Sequence, residues 1–500
     1  MPLPRNSAMS EIHFVDTTLR DGQQSLWALG MRTGAMLSIA EQMDRAVFES
    51  MEFFVSVMIK KYVREHKENP WVWLREGTKR FRRTRLRNHG GMHGSGAFEK
   101  LPHAVMKLLI ERVVSYGITL TRTSNCWNDF LGFKAELKEL RDAGMETIVN
   151  LIYSVSPRHS DDYYAEKARE AASIRPYRIC FKDVGGLLTP ERVGTLLPVI
   201  LKNAGDVPVE FHAHCNNGLA PLCYLDAVKL GITTLHTSIP PLANGSSQPS
   251  ILNVAKNLRA LGYTPLINEM EIKPVEEHFT AVAQRDGLPI GKPLEYDHFQ
   301  YLHQVPGGVI SNLRHQLRLV GMEDKLPATL AEAARVRAEF GYPIMVTPLS
   351  QFVCSQAAIN VITGERYREV TDQVIQYALG MWGAEAPLLM DPNVKEKILS
   401  RPRANDWKGW EPPQPSLKEV RRRFGGASVS DEELILRVYA GADAVQAMHA
   451  AGAPREYLSA CRPLVRLIEE LSGKKDCSRI TVSKTGISLT LAKRNASQPV

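Results

Sequence analysis

The segment RICFKDVGGLL, residues 178–188, poses the first question. Its apolar run has the length of a buried strand and stops at a Lys–Asp pair followed by two glycines. A lysine at the end of a buried strand is costly unless its ammonium is paired or chemically altered. Similar runs recur on both sides of it. Strands are predicted near 11–16 (EIHFVD), 51–57 (MEFFVSV), 83–87 (RTRLR), 118–123 (ITLTRT) and 146–153 (ETIVNLIY). Three more are predicted near 177–182 (YRICFK), 207–214 (VPVEFHAH) and 232–238 (ITTLHTS). Most intervals between them carry helical spacing, as in LPHAVMKLLIERVVSYG (101–117) and LGFKAELKELRDAG (131–144). Eight strands alternating with helices over about 260 residues predict a (β/α)8 TIM barrel.

Beyond about residue 270 the strand signals give way to successive helices, such as LPATLAEAARVRAEFG and SQFVCSQAAINVITG. A Pro-rich stretch, RPRANDWKGWEPPQPS (401–416), marks a boundary. The expected organisation is a loose tail (1–10), the barrel (11–275), a helical domain (276–400) and a helical extension (401–460). A helix plus β-hairpin tail (461–500) follows, its Lys-Thr-Gly turn separating two alternating strands.

Bulk composition narrows the class. Apolar content of 44% and charged content of 23% are ordinary for a globular protein. No run of about 18 apolar residues exists, so no membrane span is expected. The opening MPLPRNSAMS has no apolar signal core. Seven cysteines without a CxxC pair fit a reducing, cytoplasmic setting. Much of the net charge of +8 lies in KRFRRTRLR (79–87), which reads as a solvated helix end or as an anion patch. Aromatics do not interleave with its arginines, so nucleic acid is not an expected partner.

In such a barrel, functional groups gather at the C-terminal ends of strands. Three of those ends carry metal-capable groups: Asp21 beyond the first, Lys182–Asp183 at the sixth, and His212 and His214 at the seventh. Alternation puts residues i and i+2 on one side of a strand, so both imidazoles can face one point. A lone HxH is commonly structural, and Lys182–Asp183 could be a simple ion pair. Together, two histidines and a carboxylate can hold a divalent cation with open positions. A neutral Lys182 amine could take up carbon dioxide and become an anionic carbamate ligand, which burial beside a cation favours.

The segments DTTLRDGQQS, ICFKDVGGLLTPER, HAHCNNG and NGSSQPS resemble the family of biotin-dependent carboxyltransferases. That family includes the oxaloacetate decarboxylase alpha subunit, the transcarboxylase 5S subunit and the carboxyltransferase domain of pyruvate carboxylase. The resemblance continues in HQVPGGVISNLRHQL (303–317) and GYPIMVTPLSQFVCSQAAINVITGERY (341–367) and covers roughly residues 11–400. It implies a divalent metal (Zn, Mn or Co) held by Asp21, Lys182, His212 and His214, with Lys182 carboxylated. It places Gln24 near the substrate oxo group, Arg87 on the substrate carboxylate with Arg20 in the same cluster, and Thr347 as the proton shuttle to biotin. The helical domain 276–400 would complete the active site.

The chain has no lysine framed by methionines near its C-terminus, so biotin is expected on a separate biotin carboxyl carrier protein, loaded by a biotin carboxylase subunit. The substrate would be a small 2-oxo acid, and the expected assembly is a homodimer. The tail could dock a carrier or serve only as a capping element. A metal-dependent aldolase or Claisen-type lyase, or a non-catalytic assembly subunit, are the competing readings.

The sequence also departs from the family. The family's Trp-Gly-Gly after the second strand is replaced within MEFFVSVMIKKYV (51–63), and RNHGGMHG introduces His89 and His93. SNCWND brings in Cys126 and Trp127, and CNNG follows the HxH. The expectation is an intact metal set behind an altered substrate wall.

Overall fold

The computed structural model describes residues 10–92, 101–426, 428–457, 468, 471 and 478–492. Its centre is a ring of parallel strands: β1 (Glu11–Asp16), β2 (Ser50–Val55), β3 (Arg85–His89) and β4 (Leu120–Thr123). β5 (Glu146–Ile152), β6 (Arg178–Asp183), β7 (Val209–Ala213) and β8 (Thr234–Thr237) continue it. Each strand pairs with the next, and β1 pairs with both β8 and β2, which closes the barrel. A short β9 (Thr264–Pro265) adds to the first residues of β1. The expected TIM barrel is therefore present.

Local sequence explains the elements between strands. In His103–Ser115, Val105, Met106, Leu109, Ile110 and Val113 fall on one buried face, as a period of 3.6 requires. After β6, Thr189 caps Pro190–Ala204 by accepting from Arg192 N–H, and Pro190 occupies the first turn, where no N–H is needed. The double glycine that follows β6 also has a reason. Gly186 has φ +66°, and a Cβ there would lie 2.9 Å from the His214 carbonyl oxygen. A side chain would push the β6 loop off the end of β7.

The barrel interior is unusually polar. Arg87 on β3 and Glu210 on β7 bond to each other although their strands are not neighbours, so their side chains cross the lumen. Glu52, Arg122, Asn150, Cys180 and His236 are buried with them. Glu52, Asn150, Cys180 and Glu210 alternate along their strands with apolar residues that face the helices.

A second apolar core lies beyond the barrel. It joins Leu313, Leu317, Val336, Phe352 and Tyr377 from the helices Gly307–Leu319, Leu326–Glu339, Leu349–Thr363 and Asp372–Ala378, with Phe340 capping the second of these. Trp127, from the loop after β4, belongs to this core. Its indole N–H donates to the Trp382 carbonyl at 2.9 Å. Cys126 beside it donates to the Thr347 carbonyl at 3.3 Å. The sequence places these two residues on an altered substrate wall; here they fasten the second core to the barrel.

The boundaries shift for physical reasons. The break expected at 275/276 falls inside the helix Glu269–Asp286, whose Ile272, Val275, Phe279 and Val282 all pack into the barrel core. The chain leaves the second core at Ala404 and crosses the Pro-rich stretch. It restarts with a capping box at Ser416–Glu419. Leu434, Ile435, Tyr439 and Met448 of Asp431–Ala440 and Ala442–Ala450 then return to the barrel core. Near the C-terminus, β10 (Arg479–Lys484) and β11 (Ile487–Ala492) pair as an antiparallel hairpin. The tail 1–10 lies outside the described residues except for Ser10, as do His93 and most of the helix expected over 461–473. Among the described residues, no helix is long and apolar enough to cross a membrane.

Candidate metal centre and active site

β1 ends at Asp16, and the DTTLRDG run turns the chain across the barrel mouth. Asp16 accepts from the Thr18 hydroxyl at 2.5 Å and the Thr18 N–H at 3.1 Å, closing a local turn. The Thr17 N–H donates to the Thr237 carbonyl of β8 at 2.9 Å. One wide helical turn, Thr18–Gly22, then presents Asp21. A Cβ on Gly22 would stand 3.1 Å from both the Leu242 carbonyl and the Ser238 hydroxyl, so this turn sits tight against the loop after β8.

Asp21 meets the two histidines of β7 there. One ligand atom each from Asp21, His212 and His214 lies within 4.8 Å of the others, and all three residues are buried. The Asp21 Oδ2 atom is 3.3 Å from His212 Nε2 and 3.7 Å from His214 Nε2. His214 Nδ1–H donates to the Ser246 carbonyl at 2.7 Å, which leaves Nε2 as its lone-pair atom. Burial opposes charge on Asp21, yet Arg20, His214 and Lys182 hold its carboxyl well below the usual range. Burial and then Arg122 keep His212 neutral, far below the ordinary histidine value.

Lys182 stands level with His212, its direct partner in the β6–β7 register. Burial, followed by the Arg122 guanidinium, lowers its amine to about 8. The lysine at the end of the buried strand is thus tolerated because it lies beside cations and is driven toward the neutral amine. Asp183 is not its ion-pair partner. Its Oδ2 atom accepts from Leu188 N–H at 2.7 Å, and burial raises its carboxyl to about 6. Two imidazoles, a carboxylate and an amine whose proton burial makes easier to lose stand at one strand-end level, a set that suits a divalent cation.

A charge network surrounds this set. Arg20 Nε donates to Glu52 at 2.8 Å, and its Nη2 reaches Asp21 at 3.0 Å. Arg122 bonds Glu52 from the other side and lies 3.7 Å from Asp21. Glu52 thus holds two buried guanidiniums against the Asp21 carboxylate. Sequence reasoning singles out neither Glu52 nor Arg122; the available signal is a lone charge at an inward position of a strand.

Arg87 departs from its expected place on a substrate carboxylate. It is fully buried one layer below the mouth. Both its terminal nitrogens donate to Glu210, at 2.7 and 3.0 Å, and Nη2 also reaches Glu49 at 3.0 Å. Its Nε donates to the Ser50 hydroxyl at 2.6 Å, so the guanidinium is committed to protein acceptors at that depth. Two residues further along β3, one layer higher, His89 sits among the charges of Arg20, Arg122, Lys182 and Asp21. Its Nδ1 is buried without a hydrogen-bond partner. His89 therefore occupies the level at which Arg87 is expected.

Gln24 and Thr347 lie on the same C-terminal face, and both are exposed. The adjacent Gln23 is the buried glutamine of the pair and is consumed internally, bonding the Leu19 carbonyl and Met31 N–H. Thr347 Oγ1 accepts from Gln351 at 3.0 Å. The residues just before it, Ile344–Val346, face Tyr153, Val184, Gly185 and Leu187 across a small cleft. This brings the second core over the ends of β5 and β6.

The chain is similar to known proteins in sequence and in fold. The model of the conserved carboxylase domain family matches residues 301–445. The chain is 34% identical over 391 residues to a pyruvate carboxylase subunit from Methanocaldococcus jannaschii, covering 78% of this chain and 68% of that one. It is 30% identical over 446 residues to the 2-oxoglutarate carboxylase large subunit of Hydrogenobacter thermophilus, covering 85% and 66%. Its fold matches the carboxyl transferase domain of Rhizobium etli pyruvate carboxylase, solved with pyruvate and biocytin. That match has a TM-score of 0.79 at 23% identity and covers 88% of this chain and 78% of that one. With relatives this similar over most of their length, the chain belongs to the biotin-dependent carboxyltransferase family that includes the archaeal pyruvate carboxylase subunit.

Proposed function

We propose that this chain is the carboxyltransferase subunit of a biotin-dependent complex, moving a carboxyl group between biotin on a separate carrier protein and a 2-oxo acid. The observation that carries this reading is the buried set of Asp21, His212 and His214 with Lys182 at the same level. A divalent metal held by these residues, Zn, Mn or Co, would supply Lewis-acid stabilisation of the negative charge that builds on an enolate oxygen. The neutral Lys182 amine adds carbon dioxide and releases one proton, becoming a carbamate that supplies a further anionic ligand. Arg20 and Arg122, pinned by Glu52, keep positive potential at the mouth where the enolate forms. His89 offers a neutral hydrogen-bonding group to the substrate in place of a guanidinium.

Thr347 and Gln24 are assigned to the substrate side of the site, with Thr347 relaying the proton between enolate and biotin. A hydroxyl of ordinary acidity can do so only when both partners are held out of water. The helical region 276–400 supplies Thr347 and so completes the site. The named relatives are subunits, which supports partnership with a biotin carrier and a biotin carboxylase; a homodimer in the cytoplasm is part of the same proposal.

The acceptor is left between two acids by the relatives' names, pyruvate and 2-oxoglutarate. The test is decarboxylation of oxaloacetate and of oxalosuccinate by the metal-replete chain, with and without free biotin. Biotin-dependent release of pyruvate or of 2-oxoglutarate is expected and names the acceptor. Release that ignores biotin, or that survives in Lys182→Ala, would point to the lyase reading. No release from either acid with metal bound would leave an assembly role without turnover.

A further inference from the structure

Arg87, Glu210 and His236 form a buried chain that ends on His212. Glu210 takes two N–H groups of Arg87, at 2.7 and 3.0 Å, and is therefore an acceptor. It also accepts from His236 Nε2 at 2.8 Å, so that nitrogen carries the hydrogen. The other ring nitrogen of a neutral His236, Nδ1, is then a lone-pair atom. It lies 3.1 Å from His212 Nδ1, which must be the donor. His212 is thereby left with its lone pair on Nε2, the atom facing Asp21.

The placement of Gln248 is compatible with the same assignment. The Gln248 amide oxygen accepts from the hydroxyls of Thr17, Ser238 and Ser247 at 2.7, 3.1 and 3.2 Å. With its oxygen so placed, its NH2 end faces the imidazoles, 3.3 Å from His212 Nε2 and 3.1 Å from His214 Nε2. Donors there require lone pairs on both Nε2 atoms.

We propose that Glu210 and His236 are positioning residues that lock His212 in its Nδ1–H tautomer, aiming its Nε2 lone pair at the cation. The inference rests on reading Asp21, His212 and His214 as a metal site. Arg87 anchors the far end of the relay. The arrangement also accounts for the close group of Cys180, Glu210 and His236, which by distance alone could hold a second ion. Two guanidiniums already serve it: Arg87 on Glu210, and Arg122, whose Nη1 lies 3.7 Å from Cys180 Sγ.

The test compares the full-length wild type with His236→Leu and His236→Asn. Zinc affinity is read by chelator competition, and the His212 tautomer by 15N NMR of metal-free protein labelled at histidine. Wild type should show the Nδ1–H form. His236→Leu, which has no acceptor, should bind zinc about 10–100-fold more weakly. His236→Asn, whose amide oxygen can take the His212 proton, should restore binding. An Nε2–H tautomer in wild type, or equal affinity in the two variants, overturns the relay. A wild type that binds no zinc sinks the metal reading, while the NMR result still decides the relay.

Discussion

Glu52 is the acidic centre of the mouth, and its removal has a cost that can be worked from the structure. It is 1% exposed and bonds Arg20 at 3% and Arg122 at 0%. Glu52→Leu fits the volume but leaves two desolvated guanidiniums sharing Asp21, which lies 3.0 Å from Arg20 and 3.7 Å from Arg122. Breaking a buried ion pair from one side costs about 3–5 kcal/mol. Asp21 recovers part of the attraction but is drawn off the histidines in doing so. The expected loss is thus about 3–4 kcal/mol of stability, accompanied by weaker metal binding. Glu52→Gln keeps the size and one acceptor, so about 2 kcal/mol is expected. Urea denaturation followed by tryptophan fluorescence, to which the buried Trp71 and Trp73 contribute, measures this. Asp142→Ala is the control, because its pair with Lys138 is 61% and 73% exposed and worth about 0.5 kcal/mol or less. The reasoning fails if Glu52→Leu and Asp142→Ala shift the midpoint equally.

Trp127→Ala should loosen the second core from the barrel and cost about 3–5 kcal/mol, whereas Trp127→Phe should lose about 1 kcal/mol with its bond to Trp382. Hydrogen exchange over residues 340–380 reads the difference, and equal protection in all three proteins contradicts the fastening role. His278 is held neutral by burial, its value lowered to about 4, with Nε2 2.9 Å from the Ala35 carbonyl. Its folded value lies below its unfolded one, so stability falls as pH drops from about 6.5 toward about 4, by about 1.4 kcal/mol per unit. His278→Gln should remove that slope, giving a gap to wild type that changes by about 2 kcal/mol between pH 6.5 and 5; parallel curves refute it. Bicarbonate should strengthen zinc binding by the wild type near pH 8 but not by Lys182→Met, and an equal response in both excludes the carbamate.

The strand pattern is readable because alternation and turn residues are local properties. β1 is found where EIHFVD predicts it, and β5 ends one residue short of the predicted Tyr153. The third strand begins two residues later than RTRLR suggests and runs through His89. That small shift changes the chemistry. Arg87 and His89 have the same parity and both face the lumen, so a period of two cannot say which one reaches the mouth. The candidate ligands Asp21, His212 and His214 are legible because each follows or ends a strong apolar strand. Glu52, Arg122, Glu210 and His236 are not, since each looks like an isolated polar interruption until the ring closes.

By itself, then, the sequence determined the barrel, the strand ends where metal-capable groups gather, and the family resemblance, all of which depend on near neighbours in the chain. Tertiary structure decided which charges meet. Glu210 reaches Arg87 123 residues away, and Glu52 reaches Arg122 70 residues away. It also decided that Trp127 joins the second core and that Arg87 is committed to Glu210 beneath the barrel mouth. Those outcomes depend on height along a closed, low-dielectric lumen, where every buried charge must find a partner from another strand.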